Sequence, residues 1–167
     1  MKKKWYIMIM AAFAAAVLSG CGKTGGENIS AGMEMITALE YDGALASFQT
    51  AREAKENERL ILRGEGLAYM GKTMYEEASQ SFEQALALSN GKVSELDYDI
   101  NYYLATVYYK LGEKDKAAGV YDAITALKSD AKDAYYLRGV IRTEQGNLDA
   151  AREDFDRTIA LNSKDYD

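Results

Sequence analysis

The sequence predicts an all-α protein, a curved stack of about four helix–turn–helix repeats behind a cleaved N-terminal export signal. Three observations carry this expectation. The aromatics Phe48, Phe82, Tyr121 and Phe155 recur at spacings of 34, 39 and 34 residues. Sixteen and four residues before each stands a small side chain: Gly32 and Ala44, Gly66 and Ala78, Ala105 and Ala117, Gly139 and Ala151. The chain also opens with Lys2, Lys3 and Lys4 ahead of a 14-residue apolar run, Trp5 to Leu18, with no acid in the first 20 residues.

A basic block followed by an apolar block is the layout of a secretory signal peptide. Fourteen apolar residues fall short of the roughly 20 that cross a bilayer, so a retained span is not expected. Loss of residues 1–20 leaves 17 basic against 26 acidic residues, a charge of −9. That balance disfavours nucleic acid and anionic membrane surfaces, which both need clustered Lys and Arg. The remaining 147 residues suffice for one domain with a sizeable core.

Cys21 is the one cysteine in the chain, so no intramolecular disulfide can form. The preceding residues Leu18-Ser19-Gly20-Cys21 resemble the lipobox of bacterial lipoprotein signal peptides. The resemblance implies cleavage between Gly20 and Cys21, with a diacylglycerol on the cysteine sulfur and Cys21 as the new N-terminus. Two acyl chains hold a protein stably where one holds it only marginally. Localisation at the outer face of a bacterial cell membrane follows, or at the outer membrane where the organism has one. No cofactor beyond this lipid is expected. Residues 21–27, polar and glycine-rich, read as the lipidated N-terminus and a flexible tether, and residues 28–167 as the repeat domain.

Within the repeats, the residues three after each aromatic are Ala51, Ala85, Ile124 and Thr158, and six after come Ala54, Leu88, Leu127 and Leu161. Leu96, Ile100, Leu104, Val107, Tyr108 and Leu111 share one helical face at steps of three and four. Tyr135, Gly139 and Arg142 continue that face less cleanly, followed by Leu148, Ala151, Phe155 and Ile159. Helix starts are expected at Asn28 or Ser30, at Ser94 with Asp97, and at Ser129/Asp130 with Asp133. Gly112 and Gly146 suit the left-handed residue that closes a helix. Residues Val93 to Asp97 are an insertion, expected to lengthen the following helix by about a turn.

Period, small residues and aromatic together, with Tyr108-Tyr109-Lys110-Leu111-Gly112 and Tyr75-Glu76-Glu77-Ala78 as strong local matches, resemble the tetratricopeptide repeat. The units are 25–58, 59–92, 98–131 and 132–165. The resemblance implies a right-handed superhelix, an α-solenoid, whose first helices line a concave wall that binds proteins or peptides. Two departures stand out. The proline common at the end of such units is replaced by Glu56, Asn90, Ser129 and Ser163. Those boundaries are therefore expected to rely on capping, as continuous or bent helices rather than sharp breaks. Arg142 stands where an aromatic is usual.

The resemblance places Ile29, Met33, Ile36, Leu60, Arg63, Leu67 and Met70 on the concave wall. It adds Asp99, Tyr102, Thr106, Tyr109 and Lys110, then Asp133, Tyr136, Val140, Thr143 and Glu144. A peptide groove is expected at Arg63, Leu67, Met70, Tyr102, Thr106, Tyr109, Tyr136 and Val140, centred on the three tyrosines, whose rings pack while their hydroxyls hydrogen-bond. Chaperone-binding members grip a terminal carboxylate with basic residues and asparagine. The matching positions here are Ile29, Met33, Gly64, Asp99 and Tyr103, so that clamp is missing.

Catalysis has little to stand on. The chain has no histidine, and no acid cluster has the spacing of metal ligands. Gly64-Glu65-Gly66 lies inside a predicted helix and lacks the strand–loop context of a phosphate loop. The expected role is a membrane-anchored, non-enzymatic adaptor or scaffold for a protein or peptide partner. The alternatives are an assembly factor for an outer-membrane protein, pilus or secretin complex and, further off, a solute-binding lipoprotein, for which the chain lacks length and strands. At the last repeat, Phe155 and Ile159 are expected to be partly exposed unless a longer chain, a second copy or a partner covers them.

Overall fold

The computed structural model describes residues 26–163. They form eight helices: α1 Glu27–Thr37, α2 Tyr41–Glu53, α3 Glu58–Gly71, α4 Tyr75–Ala87, α5 Glu95–Lys110, α6 Lys114–Leu127, α7 Lys132–Glu144 and α8 Leu148–Ser163. No strand occurs among the described residues. The expected export signal, Cys21 and most of the expected tether lie outside them. Each helix packs on the next, and α1 also meets α3 as α3 meets α5, so the first helices of three successive pairs line one wall. This is the all-α solenoid that the repeat period predicts.

The recurring aromatic explains how the pairs stack. Phe48 is fully buried. A Cβ on Gly32, in its own repeat, would stand 2.6 Å from the ring, and one on Gly64, in the next repeat, 2.3 Å. Only hydrogen side chains let α1 and α3 both close on this ring. Phe82 fills the next wedge against Gly66 and stacks on Tyr103 at 5.8 Å between ring centres. Tyr121 meets Tyr102 at 5.9 Å in a tilted contact. Full burial of each such ring stabilises by about 1.5–3 kcal/mol.

Within all four pairs the turn is closed in the same way. A left-handed residue follows the first helix: Leu39 at φ 63°, Thr73 at 59°, Gly112 at 79° and Gly146 at 80°. The next amide reaches back to the helix, as Met74 N–H does to Tyr69 O at 2.9 Å and Glu113 N–H to Tyr108 O at 2.9 Å. This six-to-one bond satisfies carbonyls that the helix end would leave bare. Gly112 and Gly146 do what their sequence predicts. Leu39 and Thr73 hold the same conformation with a side chain attached.

Helix starts follow the sequence at one place and depart from it at two. Ser94 and Asp97 make a reciprocal capping box, and α5 runs to 16 residues where α3 has 14 and α7 has 13. The insertion lengthens its helix by two to three residues, short of the full turn expected. At α1, however, neither Asn28 nor Ser30 is the cap. The helix starts after Gly26, and the Glu56 carboxylate accepts from Asn28 N–H at 3.1 Å, Ile29 N–H at 3.0 Å and Asn28 Nδ2 at 2.8 Å. At α7, Ala131 takes the cap position with no side-chain bond, and Ser129 and Asp130 sit in the turn before it. Asn57 caps α3 by accepting from Leu60 N–H at 3.1 Å.

The expectation of continuous or bent helices between repeats is also corrected. The breaks at 54–57, 88–94 and 128–131 are sharp. Left-handed Lys55 (φ 56°) and Gly91 (φ 82°) turn the chain in the first two, so proline is not needed to stop either helix.

Candidate functional site

The second half of the concave wall is built by α5 and α7. Steps of three and four along α5 bring Tyr102, Thr106 and Tyr109 to the side that faces α7. The Tyr109 hydroxyl donates to Glu144 Oε1 at 2.6 Å, and Lys114 Nζ holds the other oxygen of the same carboxylate at 2.8 Å. Lys114 first and Tyr109 second keep the Glu144 pKa below its ordinary value. Tyr109 in turn is raised, by that hydrogen bond and then by burial. At the other end of α7, Tyr102 is raised by burial and by Asp133, against a hydrogen bond from the Ala134 amide. The two tyrosines thus brace the start and the end of α7.

Tyr136 differs from both. It is 52% exposed, with one edge resting on Phe155 at 6.0 Å. Thr106 spends its hydroxyl on Tyr102 O at 2.9 Å, and Val140 is half-buried. Of the predicted centre, Tyr136 offers the most free surface, while Tyr102 and Tyr109 are largely occupied with holding the wall together.

The first half of the wall is tied to the second through Arg63. Its guanidinium pairs with Asp99, lies 5.8 Å from the Tyr103 ring centre and reaches Met33 Sδ at 3.9 Å. Three repeats meet on this one side chain. Leu67 and Met70 are half-buried and pack against the central core cluster. Between α5 and the turn before α7 lies an open cleft of ≈ 370 Å³ lined by Tyr98, Asp99, Tyr102, Lys128 and Asp133. Lys128 already covers the Tyr98 face at 5.3 Å. Among the described residues no group of three or more His, Cys, Asp or Glu is placed to hold a metal ion. Among them, too, no helix is long and apolar enough to cross a membrane.

Sequence reasoning missed a buried ionic network behind this wall. Asp154 is only 2% exposed and accepts from both Arg138 and Arg142, which also reach Asp122. Arg138 further donates to Thr125 Oγ1 at 2.6 Å. Burial works against the Arg138 charge, but the carboxylates outweigh it and its pKa is raised. Arg142, in place of the usual aromatic, is therefore a structural partner of Asp154. A simpler pair, Arg52 with Glu65 at 2.9 Å through both nitrogens, occupies the matching wedge between the first two repeats.

A family model described as tetratricopeptide repeat matches residues 63–131 and again 104–166, more than half of the chain. The chain belongs to the tetratricopeptide repeat family. A tetratricopeptide repeat-containing protein of Methanocaldococcus jannaschii, MJ1428, is 24% identical over 134 residues, 80% of this chain. This chain spans only 22% of the length of that relative. Among solved structures, MamA is 25% identical with a TM-score of 0.67, covering 78% of this chain and 73% of its own. A tetratricopeptide repeat protein from Parabacteroides merdae reaches a TM-score of 0.72 at 23% identity, over 83% of this chain and 53% of that one. The Cut9–Hcn1 hetero-tetramer superposes on 80% of this chain at a TM-score of 0.68, with 17% identity and 26% of its own chain covered. The tetratricopeptide solenoid is a protein–protein interaction scaffold, and proteins built from it are generally not enzymes.

Proposed function

We propose that this chain is a membrane-anchored, extracytoplasmic tetratricopeptide lipoprotein. It acts as a non-enzymatic adaptor that binds a protein or peptide on its concave wall. The observation that carries the binding role is the α5–α7 wall, where half-exposed Tyr136 sits on α7, a helix whose start and end are braced by Tyr102 and Tyr109 of α5. An aromatic held on a rigid surface loses little freedom on binding and can bury a large area. The anchoring role is supported by the basic and apolar blocks and by Leu18-Ser19-Gly20-Cys21. Confinement of a weak binder to a surface raises its effective concentration, so modest affinity suffices.

Two measurements test the two halves separately. Labelled fatty acid is expected to incorporate into the wild-type chain and not into Cys21→Ser; incorporation into the variant removes the anchor. The soluble form beginning at Gly22 is expected to capture a partner that a Tyr102→Ala, Tyr109→Ala, Tyr136→Ala variant loses. Unchanged partners move the binding surface elsewhere. Tyr136→Ala alone, at full thermal stability, separates loss of contact from loss of fold.

A further inference from the structure

Among the described residues, the outward faces of α1 and α8 differ in kind. In the second, third and fourth repeats, the first helix turns an apolar face toward the preceding repeat: Ile61, Gly64 and Ala68, then Ile100, Tyr103 and Val107, then Ala134, Leu137 and Ile141. Of these, Ile61, Ala68, Ile100, Val107 and Ala134 are fully buried. At the same register α1 carries Glu27, Ser30 and Glu34, all exposed. That end is polar.

The other end is not. Phe48, Phe82 and Tyr121 are at most 2% exposed because the next repeat covers them. Phe155, in the same register, is only half-buried, and Leu148 and Ile159 on the same face of α8 are 64% and 66% exposed. Their spacings of seven and four make one apolar strip three turns long. Arg152 lies on this face, four residues after Leu148 and three before Phe155, and Asp156 borders it; they are 83% and 69% exposed and only loosely paired with each other at 4.0 Å.

We propose that this strip is a self-association surface, on which α8 of one copy packs antiparallel against α8 of a second copy about a two-fold axis. Head-to-tail stacking would lay the polar row Glu27, Ser30 and Glu34 over Leu148, Phe155 and Ile159, a poorer match than apolar on apolar. A two-fold contact sets Leu148 against Ile159 and lays the aliphatic stem of Arg152 on Phe155 of the other copy. The antiparallel register that lays Leu148 across from Ile159 also lays Arg152 of one copy beside Asp156 of the other, twice by symmetry. A parallel register would set Arg152 against Arg152. The charge pattern of α8 is thus complementary to itself in one orientation only, and that orientation also covers the strip. Each dimer would carry two concave walls.

Sedimentation equilibrium of the full chain in density-matched detergent tests this. A monomer–dimer equilibrium is expected at micromolar concentrations, and Ile159→Glu should abolish it. Arg152→Glu or Asp156→Arg alone should weaken association by about three- to thirtyfold, and the double swap should restore it. All these positions are exposed, so helical circular dichroism and Tm report that the fold is intact. A wild-type chain that stays monomeric overturns the proposal. So does a dimer indifferent to Ile159→Glu, or a double swap no tighter than the single variants.

Discussion

Arg138 holds Asp154 with both Nε and Nη2, at 3.0 and 2.5 Å, in the wedge where α6, α7 and α8 meet. Arg142 Nη1 adds a third contact at 3.0 Å. Asp154→Ala would leave two arginines held only by the half-exposed Asp122 and Thr125, and is expected to cost about 3 kcal/mol in urea unfolding, the lower end for a broken buried pair. The chain itself supplies the control. At the matching positions of the third repeat stand Leu104, Tyr108 and Val120. Arg138→Leu, Arg142→Tyr and Asp154→Val together should recover most of the loss, because an apolar wedge has no ions to desolvate.

The Glu56 cap gives a pH signature. Burial pushes its carboxyl up, but the donors from Ile29, Asn28 and Glu27 outweigh this, so the folded-state pKa lies below the ordinary carboxyl value. A lowered carboxyl stabilises fully above the unfolded pKa and loses that contribution as pH falls through the folded pKa. Glu56→Gln is expected to cost about 1 kcal/mol at neutral pH. The Tm gap between wild type and variant should narrow as the pH is brought down through the acid range. A constant gap would show that the carboxylate charge is not what matters.

Thr73 is a β-branched residue at φ 59° on an exposed turn, where Gly112 and Gly146 do the same task in later repeats. A left-handed L-residue costs roughly 1–2 kcal/mol, partly offset by the extra unfolded-state freedom of glycine. Thr73→Gly should therefore raise stability by about 0.5–1 kcal/mol. Calorimetry would detect this as a rise in Tm.

Two glycines inside helices should respond in opposite directions to the same substitution. At Gly64 a Cβ would stand 2.3 Å from Phe48 Cζ, in a wedge with no room to give. At Gly119 nothing lies within 4 Å. Gly64→Ala is expected to destabilise by about 2 kcal/mol through overpacking, and Gly119→Ala to stabilise by about 1 kcal/mol through helix propensity. Denaturant midpoints of the two variants on opposite sides of wild type would check both.

The repeat period was legible because the first three units bury the same ring under the next repeat, and that requirement repeats in the sequence as Gly32, Phe48, Gly66 and Phe82. Helix ends were legible only where the cap is local, as at Ser94 and Asp97. The cap of α1 comes from Glu56, 27 and 28 residues away from the amides it binds, and no short-range motif announces it. The Asp154 network joins three helices and was hidden for the same reason. The concave wall was legible as a row of residues but not in its division of labour. Tyr102 and Tyr136 look equivalent in sequence, yet one is packed between helices and the other faces solvent.

That division carries its own measurement. Tyr102→Ala removes a ring packed on Tyr121 and should cost about 3 kcal/mol, near the lower end for a buried aromatic. Tyr136→Ala, at 52% exposure, should stay within about 1 kcal/mol of wild type. Chemical denaturation of the two variants side by side would separate the strut from the contact surface.

The clasp at Glu56 has a mechanical consequence. Force applied to the chain ahead of Gly26 enters the solenoid at the first turn of α1, where a helix would ordinarily begin to unzip one residue at a time. Here the first turn is fastened by three hydrogen bonds to the far end of its own repeat. Pull applied there therefore loads the first helix pair in shear across the Glu56 contact, so this end of α1 yields as a unit rather than fraying.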